Sequence, residues 1–213
     1  MRRIIAEEQT PGRRRRSEEK KTAILDAAEN LFITDGYERT TVDAVAARAQ
    51  VSKRTLYNHF SDKEIIFLRV LGRVHESLLG TIRAAVDEEL TTGRDLREAL
   101  TTFAHRIVDR AFGSADYLTY RRLTAQPQAV PRPPEGNRGR PLSLLEQRFA
   151  ELAADGRIRA PRPRVAARHF TALTISLAQE ALMGDQDDTG PADLDDIIAD
   201  GVDAFLRAYG AGS

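Results

Sequence analysis

Residues 40–63 read T-T-V-D-A-V-A-A-R-A-Q-V-S-K-R-T-L-Y-N-H-F-S-D-K, and this stretch decides the fold. Three capping signals announce three helices. Thr40 and Thr41 can cap a helix over residues 42–49, and Thr40 with Asp43 resembles a capping box with Asp in place of Glu. Ser52 can cap a helix over residues 53–60. Ser61 opens S-D-K-E, a capping box with Glu64 at the third helical position. Only Gln50 and Val51 separate the first two helices. Helices joined so tightly cross steeply, so their contact must use small side chains, which Ala46 and Ala49 provide. Val42, Val45, Val51, Leu56 and Phe60 supply a small core.

Outward from this stretch the helical period persists. Ile24, Ala27, Ala28, Leu31 and Phe32 form an i, i+3, i+4, i+7, i+8 stripe, closed by Thr34-Asp35-Gly36 with Gly36 suited to a left-handed stop. Further stripes run from Phe67 to Ala85 and from Leu96 to Ala111, with a short one at Tyr117, Tyr120 and Leu123, then from Leu142 to Leu152, Val165 to Leu182 and Leu194 to Leu206. No segment alternates as a strand does. The expectation is an all-α chain of about nine helices. Prolines and glycines between Pro127 and Pro141 mark a loop, and Gly190-Pro191 suits the start of the last helix. Three parts result: a basic flexible arm over 1–16, a three-helix domain over 17–66 and a larger helical domain over 67–213.

The chain of 213 residues has no net charge, but its charges are unevenly placed. Arg13 to Arg16 is an unbroken basic run, residues 120–170 carry 11 Arg against 4 acids, and residues 185–213 carry 8 Asp against one Arg. Absence of Cys excludes a disulfide scaffold, a thiolate metal site and a Cys nucleophile. The eleven uncharged residues at 169–179 are too few for a membrane span, which needs ~20 apolar residues, so the chain reads as soluble and cytoplasmic. No nucleotide-binding, hydrolase or metalloprotease fingerprint is present. The reading is therefore not an enzyme, with no cofactor and no metal. His105 and Asp109 stand four apart, but without a third ligand they read as a surface pair or His105 as a core histidine, and His169 reads as a satisfied buried histidine or a cavity-lining one.

The helix at 53–60 divides its faces. Leu56 and Phe60 point one way, whereas Lys53, Arg54, Thr55, Asn58 and His59 offer donors and acceptors. A helix that reads the major groove needs this division. Tyr57 adds a hydroxyl suited to a phosphate oxygen. Lys63, in a helix's first turn, opposes the helix dipole, and a phosphate beside it would offset that.

The segments I-L-D-A-A-E-N-L-F (24–32), D-G-Y-E-R-T-T-V-D-A-V-A (35–46) and V-S-K-R-T-L-Y-N-H-F-S-D-K-E (51–64) resemble the DNA-binding domain of the TetR/AcrR family of bacterial one-component transcription regulators. The resemblance covers about residues 17–67, with Gln50 where the family usually has Gly. The remainder is similar to the subset with an AefR-like C-terminal domain. By this resemblance Thr41, Tyr57, His59 and Lys63 contact phosphates, and Ser52, Lys53, Arg54, Thr55 and Asn58 lie at or near base edges. Thr40 completes the expected DNA-binding set. The resemblance also implies a homodimer on a palindromic double-stranded operator, usually repressing, released by a small molecule. Phe103, Tyr117, Tyr120, Phe149, Phe170, Gln179 and Met183 are the candidate lining of an apolar or aromatic effector pocket. Leu173, Leu177, Leu182, Ile198, Val202 and Phe205 are the candidate dimer seam, pairing the last two helices into a four-helix bundle. The alternatives are an architectural DNA binder without effector and a helical protein-interaction module.

Overall fold

The computed structural model describes residues 11–125, 131, 140–183 and 191–211. The chain is all-α. Its helices are α1 (Pro11–Thr34), α2 (Val42–Arg48), α3 (Lys53–His59), α4 (Lys63–Glu89), α5 (Leu96–Arg106), α6 (Ala115–Thr124), α7 (Arg140–Ala154), α8 (Pro163–Thr171), α9 (Leu177–Met183) and α10 (Pro191–Tyr209). A π-type turn, Ile107–Phe112, extends α5, and another, Ala172–Ser176, joins α8 to α9 without a break. Nine continuous helical rods result among the described residues, in line with the period read from the sequence. Most of the proline-rich stretch, residues 126–130 and 132–139, lies outside the described residues, as does Gly190. No helix among the described residues is long and apolar enough to cross a membrane.

Two compact units divide the chain. The first comprises residues up to Arg73 together with 119–133. Ile24, Ala28 and Phe32 of α1 are wholly buried there, with Val45, Leu56, Ile66 and Phe67. Phe67 meets Phe32 and Tyr37 edge-on at 5.1 Å between ring centres in each case. Edge-on pairs set the positive ring edge against the negative face. Arg73 of α4 reaches back to Asp26 and Glu29, fastening α4 to α1. The run Arg13–Arg16 is not a flexible arm: α1 begins at Pro11 and carries all four arginines as exposed helical residues. Pro suits a first helical position, and Arg is a good helix former.

The second unit comprises residues 74–118 and 134–213. Phe103, Phe149, Phe170 and Phe205 are its central side chains, all at most 1% exposed. Phe205 lies 5.3 Å from both Phe149 and Phe170 and stacks on Tyr209 at 4.8 Å. These rings fill the core with one another, so Phe103, Phe149 and Phe170, expected to line a pocket, stand among the core residues. Tyr120 packs against the core of the first unit, and Met183 is exposed. The expected dimer seam also divides. Ile198, Val202 and Phe205 form the inward stripe of α10 and are buried within their own chain. Leu177 and Leu182 are instead exposed, with Leu173 half-buried.

Gly201 is required where it stands. A Cβ there would come within 2.1 Å of the Leu173 carbonyl oxygen, in the π turn. The C-terminal end of α10 is tied down as well: Arg159 N–H donates to Tyr209 O at 2.6 Å, and Ile158 bridges to Gly210. Among the histidines, His105 faces Asp195 at 3.6 Å rather than Asp109, and His169 is hydrogen-bonded to Tyr209 Oη at 2.7 Å.

Candidate nucleic-acid interface

The geometry of α2, the turn and α3 is set by local bonds. Thr41 is the residue that caps α2, accepting from Ala44 N–H at 3.1 Å. Thr40 is only 2% exposed, and its hydroxyl donates to Gly36 O at 2.7 Å. It fastens the loop entering α2, so the expectation that it touches DNA is corrected. At the far end of α2, Val51 N–H donates to Ala46 O and Gln50 N–H to Ala47 O. This pair of bonds is a Schellman stop, which demands a left-handed residue at the position after the cap. Gln50 fills it at φ 54°. The tight turn is thus formed without the customary glycine, at a steric cost to the side chain.

Ser52 caps α3 as its position promises, accepting from Thr55 N–H at 3.0 Å and sharing a bond with the Thr55 hydroxyl. Leu56 and Phe60 are buried beneath the helix, alongside Val45 and Ala46, with Val42, Ala49 and Val51 partly buried around them. The outer face carries Arg54 and Asn58, both exposed, and Tyr57 at 47% exposure. His59 is half-buried. Lys53 differs from its neighbour Arg54: its ammonium pairs with Asp43 of α2 at 2.8 Å, and that bond holds its pKa above the usual lysine range. Arg54 therefore offers its guanidinium fork to a ligand more readily than Lys53 offers its ammonium.

The start of α4 departs from the sequence reading. Asp62, not Ser61, is the cap: its carboxylate accepts from Ile65 N–H at 2.8 Å, and Ser61 donates to the other oxygen. Those bonds hold the Asp62 carboxyl below its ordinary pKa, the backbone bond most of all. A carboxylate at a helix start also meets the positive end of the dipole, an advantage that Ser lacks. Lys63 is next in the chain, with Nζ donating to Tyr37 O at 2.8 Å and Glu38 O at 3.4 Å while lying 4.2 Å above the Tyr37 ring. An ammonium has three donors. Two are directed at the loop between α1 and α2, which leaves one for a phosphate oxygen.

The sequence reading singled out the run Arg13–Arg16 but not Ser17 or Lys20. Arg13, Arg16, Ser17 and Lys20 of α1, with Thr55, Asn58 and His59 of α3, line an open cleft of about 510 Å³. Their spacing at i, i+3, i+4 and i+7 on α1 was the available signal, obscured by the continuity of the arginine run.

A family model of tetR-family bacterial regulatory proteins matches residues 24–70, and a model of the C-terminal domain of AefR-like transcriptional repressors matches residues 94–211. The transcriptional activator FasR of Mycolicibacterium smegmatis is 28% identical over 192 residues, covering 88% of this chain and 81% of the relative. A crystal structure of a tetR-family regulator from Mesorhizobium loti superposes with a TM-score of 0.73 at 26% identity, over 92% of this chain and 98% of that one. The flavonoid-responsive regulator FrrA shares the fold, with a TM-score of 0.66 at 24% identity over 92% of this chain and all of that one. The chain belongs to the tetR family of bacterial regulatory proteins, and it is a DNA-binding transcriptional regulator rather than an enzyme.

Proposed function

We propose that the chain is a cytoplasmic repressor that binds a palindromic operator as a homodimer and is released by a small apolar or aromatic molecule. The observation that carries the DNA-reading part is the division of α3: Leu56 and Phe60 buried, Arg54 and Asn58 exposed at the helix surface. Arg54 reads bases, and Asn58 reads them beside it. Lys53 does so after leaving Asp43. Ser52 and Thr55 hold the start of α3 at the base edges. Thr41, Tyr57, His59 and Lys63 hold phosphates. In this division of labour, residues 17–66 bind DNA and residues 67–213 bind the effector and form the dimer. Binding-site selection on randomised duplexes tests this. Wild type should return two-fold related half-sites, ~34–36 Å apart if both α3 helices enter successive major grooves. Arg54→Ala should lose discrimination worth ~1–3 kcal/mol at one or two positions per half-site. A single unrepeated motif, or an unaltered one in Arg54→Ala, overturns the assignment.

The dimer seam is centred on Leu177 and Leu182, whose exposure leaves apolar surface for a second copy, with Leu173 beside them. Charge at these positions, as in Leu177→Glu/Leu182→Glu, should yield monomers by light scattering. The effector site is proposed at Tyr117 and Gln179, where Gln179 Nε2 donates to Tyr117 Oη beside the Phe112 ring. A polar pair among aromatic groups suits a ligand that is mostly apolar with one oriented polar contact. A compound at 100 times its dissociation constant should add ~2.7 kcal/mol of stability, read as a thermal shift lost in Gln179→Ala.

The name of the M. smegmatis relative favours a second sense of regulation, activation. In vitro transcription from a bound promoter decides: output falls on adding a repressor and rises on adding an activator.

A further inference from the structure

The N-terminal turns of α1 have a one-sided chemistry. Arg15 is paired with Glu19 and Lys21 with Glu18. Arg13, Arg16 and Lys20 make no ion pair among the described residues, and with Ser17 they line the cleft that α1 shares with α3. All three cations are exposed. The first turn of α1 contains no acid, although a helix start favours negative charge. Arg14, also without an ion pair among the described residues, lies outside the cleft; three of the four unpaired cations thus face the helix that reads DNA, and both paired ones lie outside the cleft.

We infer that this cleft holds the sugar–phosphate strand bordering the major groove entered by α3, with Arg13, Arg16 and Lys20 as a second, sequence-independent set of phosphate contacts. The inference rests on the DNA-reading role of α3. An α-helix with its side chains is ~10–12 Å across, whereas the minor groove of B-DNA is ~6 Å wide, so a helical basic run cannot enter that groove as an extended arm can. It can lie along the backbone. The major groove, ~12 Å wide, admits α3, and the strand at its edge then falls between α3 and α1. Ser17 adds a neutral donor to a phosphate oxygen there, and His59 closes the cleft beside it. Such contacts fix register and add affinity without reading sequence.

The test uses the full chain and a duplex of random sequence, which senses the electrostatic part of binding alone. Each phosphate neutralised contributes ~0.9 to the slope of log affinity against log salt. Arg13→Gln/Arg16→Gln/Lys20→Gln should lower that slope by about 2.7, so that between 50 and 200 mM salt its affinity falls about 40-fold less than that of wild type. The control Arg15→Gln/Lys21→Gln, on the paired face, should keep most of the wild-type slope. Gln preserves helix propensity at these exposed positions, and unchanged helical circular dichroism confirms folding. Operator selection with the triple variant should return the wild-type motif. A wild-type slope in the triple variant, or equal slope losses in the two variants, overturns the inference while leaving α3 as the reader. Absence of any salt-dependent binding by wild type removes the inference together with the DNA-reading assignment.

Discussion

Lys63 Nζ lies 4.2 Å above the Tyr37 ring while donating to the Tyr37 carbonyl oxygen at 2.8 Å. One side chain thus joins the first turn of α4 to the loop that delivers Thr41 to the start of α2. The local carbonyls offset the lysine's poor placement at a positive helix end. Lys63→Met should therefore cost about 1–2 kcal/mol of stability, from charge-assisted bonds in a half-exposed setting and a cation–π contact. Urea unfolding should show a lower midpoint with an unchanged slope. An unaltered midpoint would mean that the lysine serves DNA alone.

Gln50 carries a left-handed penalty at φ 54°. Gln50→Gly should stabilise the chain by up to about 1 kcal/mol, since the relief of steric strain exceeds the entropy glycine loses on folding. The thermal midpoint should rise while the operator motif stays the same. A fall in the midpoint would show that the glutamine side chain contributes more than its backbone costs.

Gly201→Ala tests the opposite case. Its new methyl would meet the Leu173 carbonyl oxygen and the Thr174 side chain, both in the π turn. Overpacking against backbone should cost about 3 kcal/mol, at the upper end for such insertions. Calorimetry that finds less than about 1 kcal/mol would mean that α10 shifts freely.

Glu89 supplies a pH dependence. Hydrogen bonds from Arg106 above all, and also from Arg94, hold its carboxyl below the ordinary glutamate range, against the opposing effect of burial. A depressed folded pKa contributes stability above the unfolded pKa of ~4.3, and that stability is lost as pH falls through the folded value. Wild type should thus lose thermal stability below that unfolded value more steeply than Glu89→Gln. Parallel curves for the two proteins would show that the Arg106 cluster is no part of acid unfolding.

The apolar period made α1, α4 and the buried faces of α2 and α3 legible, because burial at i, i+3 and i+4 is what builds those helices. Caps were legible to within one residue. Adjacent candidates such as Thr40 and Thr41, or Ser61 and Asp62, differ only in which side chain the backbone turns toward the helix start. The pocket residues were illegible for a different reason: a phenylalanine that lines a cavity and one that fills a core occupy the same helical stripe. Phe103, Phe149 and Phe170 proved to be core. The π turn at Ala172–Ser176 has no sequence signature, yet it adds a residue to one turn and rotates the helix beyond it. Leu177 and Leu182 accordingly face outward, whereas the uninterrupted stripe of α10 turns Ile198, Val202 and Phe205 inward.

The seat of Gly201 against the π turn has a mechanical meaning. Smooth helix faces can ratchet past one another by a turn, ~5.4 Å, exchanging one set of side-chain contacts for another. A backbone-to-backbone notch cannot, because the next residues along α10 bear side chains where only a hydrogen fits. With Gly210 bridged to Ile158 at the far end, α10 is keyed to its neighbours at two points. A slip of α10 by one turn would therefore have to break both its notch against the α8 rod and its tie to the segment preceding α8.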